Sequence, residues 1–161
     1  MQNLLSYLNE VLIFRNFVEV IGGLDNTLLL LIISLPIGFV LSLIFALGRV
    51  STNKFISKPI ASYIFVIRGT PLLVQIYLIY FGLGSIEFIR ESFLWYLLRE
   101  PFWCGVLALT INTVAYGSEI FRGGIQSVTK GQIESGLSLG FNKIDLLRKI
   151  IFPIALRKVL P

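Results

Sequence analysis

The 161-residue sequence contains no histidine. That absence removes Ser-His-Asp and Cys-His catalytic arrangements and most zinc sites. A single cysteine, Cys104, lies inside an apolar run, so no disulfide can form within the chain and no cysteine-held metal cluster can be built. Charge is scarce as well, at 14% of residues against 55% hydrophobic. So little charge excludes an ordinary soluble domain, and the apolar residues fall in long blocks without the alternation of a membrane barrel. There is no G-x-x-x-x-G-K-[ST] phosphate loop and no internal repeat. The first 26 residues carry Glu10, Arg15, Glu19 and Asp25 with no basic start, so no cleavable signal peptide is expected and the first span directs insertion. No catalytic residue, metal site or cofactor bound by this chain is expected.

What is present is the pattern of an all-α, polytopic membrane protein. Thr27 to Gly48 is 22 residues without a charge, about 33 Å at helical rise and enough to cross a bilayer core. Pro36 is expected to kink it. Ser34, Gly38, Ser42 and Ala46 recur every four residues, a small-residue stripe that lets a second helix approach closely. A second apolar region, Pro59 to Ile89, is interrupted by Arg68-Gly69-Thr70-Pro71. Thr70 is expected to cap a new helix with Pro71 at its first position. The region reads as one crossing by a broken helix, the alternative being an interfacial helix over 55–67 and a separate span after Pro71. Glu87 to Glu100 is amphipathic, with Phe93, Trp95 and Tyr96, and suits an interface. Phe102 to Phe121 is the third span, and within it Asn112, Tyr116 and Glu119 share a face. Ile150 opens another apolar stretch, so the chain reads as about three complete spans plus the start of a fourth.

The formal charge of +5 points to membrane orientation, not to nucleic acid. The N-terminal segment holds one basic residue, Arg15. The connection after the first span holds Arg49, Lys54 and Lys58, the segment Glu87 to Glu100 holds Arg90 and Arg99, and the loop from Arg122 to Lys149 holds five, with Arg157 and Lys158 following. By the positive-inside rule the N-terminus is outside and residues 122–149 are cytoplasmic.

That polar loop is written as two short helices. Thr129 and Gln132 form a capping box, flanked by Val128 and Ile133 at hydrophobic-staple positions. Helix one runs to Leu139, where Gly140 is a natural left-handed stop. Asn142 then caps a second helix, with Phe141 and Leu146 as staple pair and Asp145 in the first turn. Helices this short need a surface against which to bury Ile133, Leu137 and Leu139. That surface is either a partner or the chain's own membrane domain.

Within the loop, Glu134-Ser135-Gly136, three residues, Gly140, nine residues, Ile150, one residue and Phe152-Pro153 resemble the EAA loop of ABC importer permeases, E-A-A-x3-G-x9-I-x-L-P. Upstream, Arg68 to Gln75 (RGTPLLVQ) and Ala115-Tyr116 through Glu119-Ile120-Phe121-Arg122-Gly123-Gly124-Ile125 resemble the polar amino acid branch, the histidine/glutamine type, as does Gly23-Leu24 followed by Thr27-Leu28. The resemblance covers Gly22 to Pro161. It implies a single, partial permease domain over 1–161, in a bacterial inner membrane, carrying a cytoplasmic coupling loop over 129–153. It implies a separate ABC ATPase dimer, a second permease subunit, identical or related, and a periplasmic or extracellular amino-acid-binding protein. It further implies a polar amino acid such as glutamine as the carried substrate. By position in the motif, Glu134, Ser135, Gly136, Gly140, Ile150 and Pro153 form the ATPase-coupling loop, with Glu134 docking and Gly140 turning. Ser135-Gly136 replaces the usual Ala-Ala, and Gly136 costs about 1 kcal/mol of helix stability relative to alanine. Family members have five spans, so this chain reads as C-terminally truncated. Arg68, inside an apolar region, is a candidate for substrate or gate contact, or for an ion pair with Glu119. Gln75 and Asn112 can bond substrate or glue helices together. Glu119 and Arg122 are placed to pair locally. A free-standing channel or secondary transporter is the competing reading.

Overall fold

The computed structural model describes residue 17 and residues 21–159. The N-terminal segment with Glu10, Arg15 and Glu19, and the end at Pro161, lie outside the described residues. Helix α1 spans Leu24–Val50, α2 Lys54–Arg68 and α3 Leu72–Ser85, the last with a π-helical stretch at Leu78–Gly82. Two short turns follow, α4 Glu87–Arg90 and α5 Trp95–Leu98, then the long α6 Pro101–Gln126. The loop pair is α7 Lys130–Ser138 and α8 Lys143–Leu146, and a second π-helical stretch, Leu147–Ile151, leads into α9 Phe152–Val159. A π turn takes in one residue more than an α turn.

Helices α1 and α6 are each long and apolar enough to cross a membrane, at 27 and 26 residues, and α2 with α3 qualifies only as a pair. The small-residue stripe explains why α1 and α6 pack together. Ser34, Ser42 and Ala46 are fully buried, and a Cβ at Gly38 would meet Thr113 of α6 at 2.7 Å. The approach is reciprocal, since a Cβ on Gly117 would strike Ser42. The Ser42 hydroxyl donates back to the Gly38 carbonyl at 2.6 Å and lies 3.2 Å from the Thr113 carbonyl. Its polarity is thereby satisfied inside an apolar contact. Helix α1 is continuous through Pro36. Lower down, Phe39 meets Phe121 edge-on with centroids 5.2 Å apart. Tyr63 of α2 donates to the Ile111 carbonyl at 2.7 Å, tying α2 to α6.

The break between α2 and α3 falls at the expected residues, and the two helices are bent by 106° there. The expected cap is also corrected. Pro71 is the N-cap of α3, which begins at Leu72. The Thr70 hydroxyl turns backwards, within reach of the Val66 and Ile67 carbonyls at 3.0 and 3.3 Å. Those carbonyls at the end of α2 have no partner within their own helix, so they capture the hydroxyl. The interfacial segment resolves into α4 and α5, which leave Phe88, Phe93 and Tyr96 largely exposed.

Candidate functional site

Two constructions stand out, one at the α2–α3 break and one in the polar loop. At the break, Gln75 is 5% exposed. Its amide nitrogen lies 2.7 Å from the Ile67 carbonyl, 3.0 Å from the Thr70 carbonyl and 2.9 Å from the Thr70 hydroxyl. Its oxygen accepts from Asn112 of α6 at 3.2 Å. Gln75 thus closes the orphaned end of α2 and pins the corner to α6. Gln75 and Asn112, two of the candidates for bonding substrate, thus meet each other through the Gln75 oxygen.

Arg68 and Glu119 do come together. Glu119 is clamped by Arg122, whose Nε lies 3.0 Å from both carboxylate oxygens and whose Nη2 donates to Oε2 at 2.7 Å. Arg68 reaches the same carboxylate at 4.0 Å. Arg49, which sequence spacing did not connect to it, reaches it at 3.9 Å. Three guanidiniums therefore surround one carboxylate where the ends of α1, α2 and α6 meet. Arg68 also lies over the Tyr116 ring, 5.3 Å from its centroid, so Tyr116 and Glu119 present the shared face read from their spacing. A crevice of about 580 Å³ opens beside them, walled by Ala61, Ile64 and Phe65.

In the loop, the Thr129 capping box, the Gly140 stop and the Asn142 cap are realised. Gln132 N–H donates to the Thr129 hydroxyl at 3.4 Å, and the Gln132 side chain accepts from the Thr129 N–H at 3.0 Å. Gly140 has φ of 80°. The Phe141 N–H bonds the Gly136 carbonyl and the Gly140 N–H bonds that of Leu137, a Schellman closure that needs the left-handed residue. Asn142 Oδ1 accepts from the N–H groups of Ile144 and Asp145 at 2.9 Å each.

The loop's packing answers which residues face inward. Gly136 is the buried residue of α7. A Cβ there would lie 2.5 Å from Ile150 Cδ1, 3.1 Å from Leu146 Cδ2 and 3.5 Å from Phe141 Cδ2. The glycine expected only to weaken the helix is where the second half of the loop rests on the first. Leu137 and Leu139, expected to need cover, are 55% and 74% exposed, and Ile144 is 75% exposed. Glu134 and Ser135 are exposed beside them. The chain's own membrane domain does not bury this face. Helix α9 packs on α6, and a small apolar cavity of about 60 Å³ beside them is lined by Leu43 of α1, Phe121 and Ala155 among others. The loop is thus joined to the long helices through its C-terminal half.

These contacts make a checkable expectation. Gly136→Leu should destabilise the loop by about 2 kcal/mol through overpacking, and Ile150→Ala in the same chain should recover part of the loss. Hydrogen exchange over residues 130–151 reads this directly. Unchanged protection in Gly136→Leu would mean that the α7 contact is not made.

The profile of the family described as binding-protein-dependent transport system inner membrane component matches residues 18–161. The chain belongs to this family. Among its relatives, the nopaline transport system permease protein of Agrobacterium fabrum is 47% identical over 93% of this chain and 63% of its own length. The histidine/lysine/arginine/ornithine transport system permease protein of Escherichia coli is 47% identical over 86% of this chain and 59% of its own length. The octopine transport system permease protein of Rhizobium radiobacter is 44% identical over 92% and 61%. A crystal structure of an amino acid ABC transporter with histidines aligns at TM-score 0.74 and 40% identity, covering 93% of this chain and 66% of that one. The chain therefore spans about 60% of the length of its curated relatives, as the three shares of 63%, 59% and 61% give.

Proposed function

We propose that this chain is the permease part of a binding-protein-dependent ABC importer for amino acids, coupled through residues 129–153 to a separate ATPase. The observation that carries the reading is the two-sided loop. Gly136, Leu146 and Ile150 close it internally, while Glu134, Leu137, Leu139 and Ile144 stay uncovered. Exposed apolar groups beside a carboxylate suit a groove on a partner. In this reading Glu134 docks, Ser135 lies beside it, Gly140 sets the turn, and Ile150 with Pro153 passes motion through α9 to α1 and α6. A second permease subunit, identical or related, completes the pathway, and an external binding protein delivers the substrate. The N-terminus lies outside and residues 122–149 face the cytoplasm. The names of the relatives favour histidine, lysine, arginine, ornithine or an opine over glutamine as cargo. Arg68 and Glu119 face the pathway as gate residues, and Gln75 with Asn112 holds the corner that positions Arg68.

Cysteines placed singly from Thr129 to Asn142 test the coupling role in membranes that also contain the candidate ATPase. Crosslinks are expected at the exposed positions near Glu134 and Leu137. No crosslink from any position would sink the reading.

A further inference from the structure

We propose that the crevice between the end of α3 and α5 holds the headgroup of a phospholipid, with its phosphate on Arg99 and the ammonium of an ethanolamine group on Glu100. The proposal needs α6 to cross a membrane and is independent of the loop's coupling to an ATPase. Level is the first argument. Helix α6 has 26 residues, about 39 Å at helical rise against a hydrocarbon core of about 30 Å, so its ends reach the headgroup region. Arg99 and Glu100 immediately precede its first residue, Pro101. Nearby, Phe88, Phe93 and Tyr96 are largely exposed, an apolar patch at the depth where aromatic side chains settle in a bilayer.

Chemistry is the second argument. A crevice of about 410 Å³ opens there, with Tyr80, Phe81 and Ser85 of α3 on one side and Trp95, Leu98 and Arg99 on the other. The two walls meet where Trp95 packs against Gly84. Tyr80, Trp95 and Arg99 bring O–H, indole N–H and guanidinium donors to the lining. None of these three side chains donates a hydrogen bond among the described residues, and no carboxylate lines the crevice. A donor-rich lining beside apolar rings suits phosphate oxygens with acyl chains attached. The Arg99 guanidinium lies over the Tyr96 ring, 4.8 Å from its centroid, a contact that orients the fork.

Glu100 is the reason to name the headgroup. Its Oε1 lies 3.8 Å from Arg99 Nε, an ion pair outside hydrogen-bonding distance, and both side chains are more than half exposed. An exposed pair of this kind contributes little to stability and stays open to further charged groups. It sets a plus beside a minus, the complement of the phosphate and ammonium of phosphoethanolamine. A purely anionic headgroup would meet Glu100 as a like charge, and a choline headgroup would offer it no N–H donor.

Native mass spectrometry of the full chain tests this, after equilibration with phosphatidylethanolamine, phosphatidylcholine and phosphatidylglycerol of matched acyl chains. Phosphatidylethanolamine is expected to be retained about tenfold more than either competitor, the factor that one charge-assisted hydrogen bond supplies. Arg99→Gln should lower retention of phosphatidylethanolamine and phosphatidylcholine alike, by about tenfold, and Arg99→Lys by less, since it keeps the charge. Glu100→Gln should bring phosphatidylethanolamine down to the level of phosphatidylcholine and leave phosphatidylcholine unchanged. Both positions are exposed, so these substitutions leave the fold intact. Equal retention of the three lipids, or a preference for phosphatidylglycerol, overturns the proposal. So does release of the lipid by inorganic phosphate, which would make the crevice a site for a soluble anion. A lipid-free dimer that Arg99→Gln dissociates would give the crevice to a second copy of the chain and overturn it as well.

Discussion

Glu119→Gln is expected to destabilise the chain by about 2 kcal/mol, the cost of weakening a half-buried, charge-assisted hydrogen-bonded pair. The glutamine is nearly the same size, so packing is preserved and only charge is lost. Arg122 would lose its 2.7 Å partner, and Arg49 and Arg68 the anion they share with it. Three like charges would then meet where three helices end. The double variant Glu119→Gln with Arg122→Gln removes one charge of each sign and should recover a good part of the loss. Thermal unfolding of the purified chain in nanodiscs gives the comparison. Full recovery in the double variant would mean that Glu119 serves only its local pair with Arg122 and that Arg49 and Arg68 add nothing to the cluster.

Gln75→Leu is the second large effect, about 3 kcal/mol. Leucine fills much of the same space but leaves the Thr70 carbonyl without its side-chain donor and the Asn112 amide without its acceptor, and takes from the Ile67 carbonyl its shortest contact. Each buried group left unpaired costs about 1–3 kcal/mol. Adding Asn112→Leu removes one of the orphans, so the double variant should cost less than the sum of the singles. The corner itself offers a second readout, because trypsin can cut after Arg68. Cleavage there should accelerate in Gln75→Leu while cleavage after Arg157 does not. Equal acceleration at both sites would indicate general loosening and not a lost clamp.

Local signals in this sequence are legible because each needs only near neighbours. The Thr129 capping box, the Gly140 stop, the Asn142 cap and the Glu119–Arg122 pair all act within five residues. The Ser34–Ala46 stripe is longer but strictly periodic, so it named a helix face that the structure buries against α6. What escaped depends on distant chain. Arg49 and Glu119 are separated by 70 positions, and nothing in either neighbourhood announces the other. Thr70 carries a valid capping signal, yet the unpaired carbonyls ending α2 compete for its hydroxyl and win. Gly136 was weighed by helix propensity alone, whereas its value lies in what it allows Ile150 to touch. The 106° corner was legible as a break from Gly69 and Pro71, but its angle is set by Gln75 bonding to both sides.

The π-helical stretch Leu147–Ile151 sets the rotational phase of everything after it. Each residue of an α-helix advances the side chain by about 100°, so absorbing one extra residue turns α9 relative to α8 by that amount. This is how one continuous run can present Leu146 and Ile150 to Gly136 and, further on, Ala155 to the small cavity shared with α1 and α6. Deleting a single residue from the stretch would leave both ends helical and every side chain chemically intact. It would still point Ala155 away from that cavity, so the loop and the long helices would fold side by side while turning out of step.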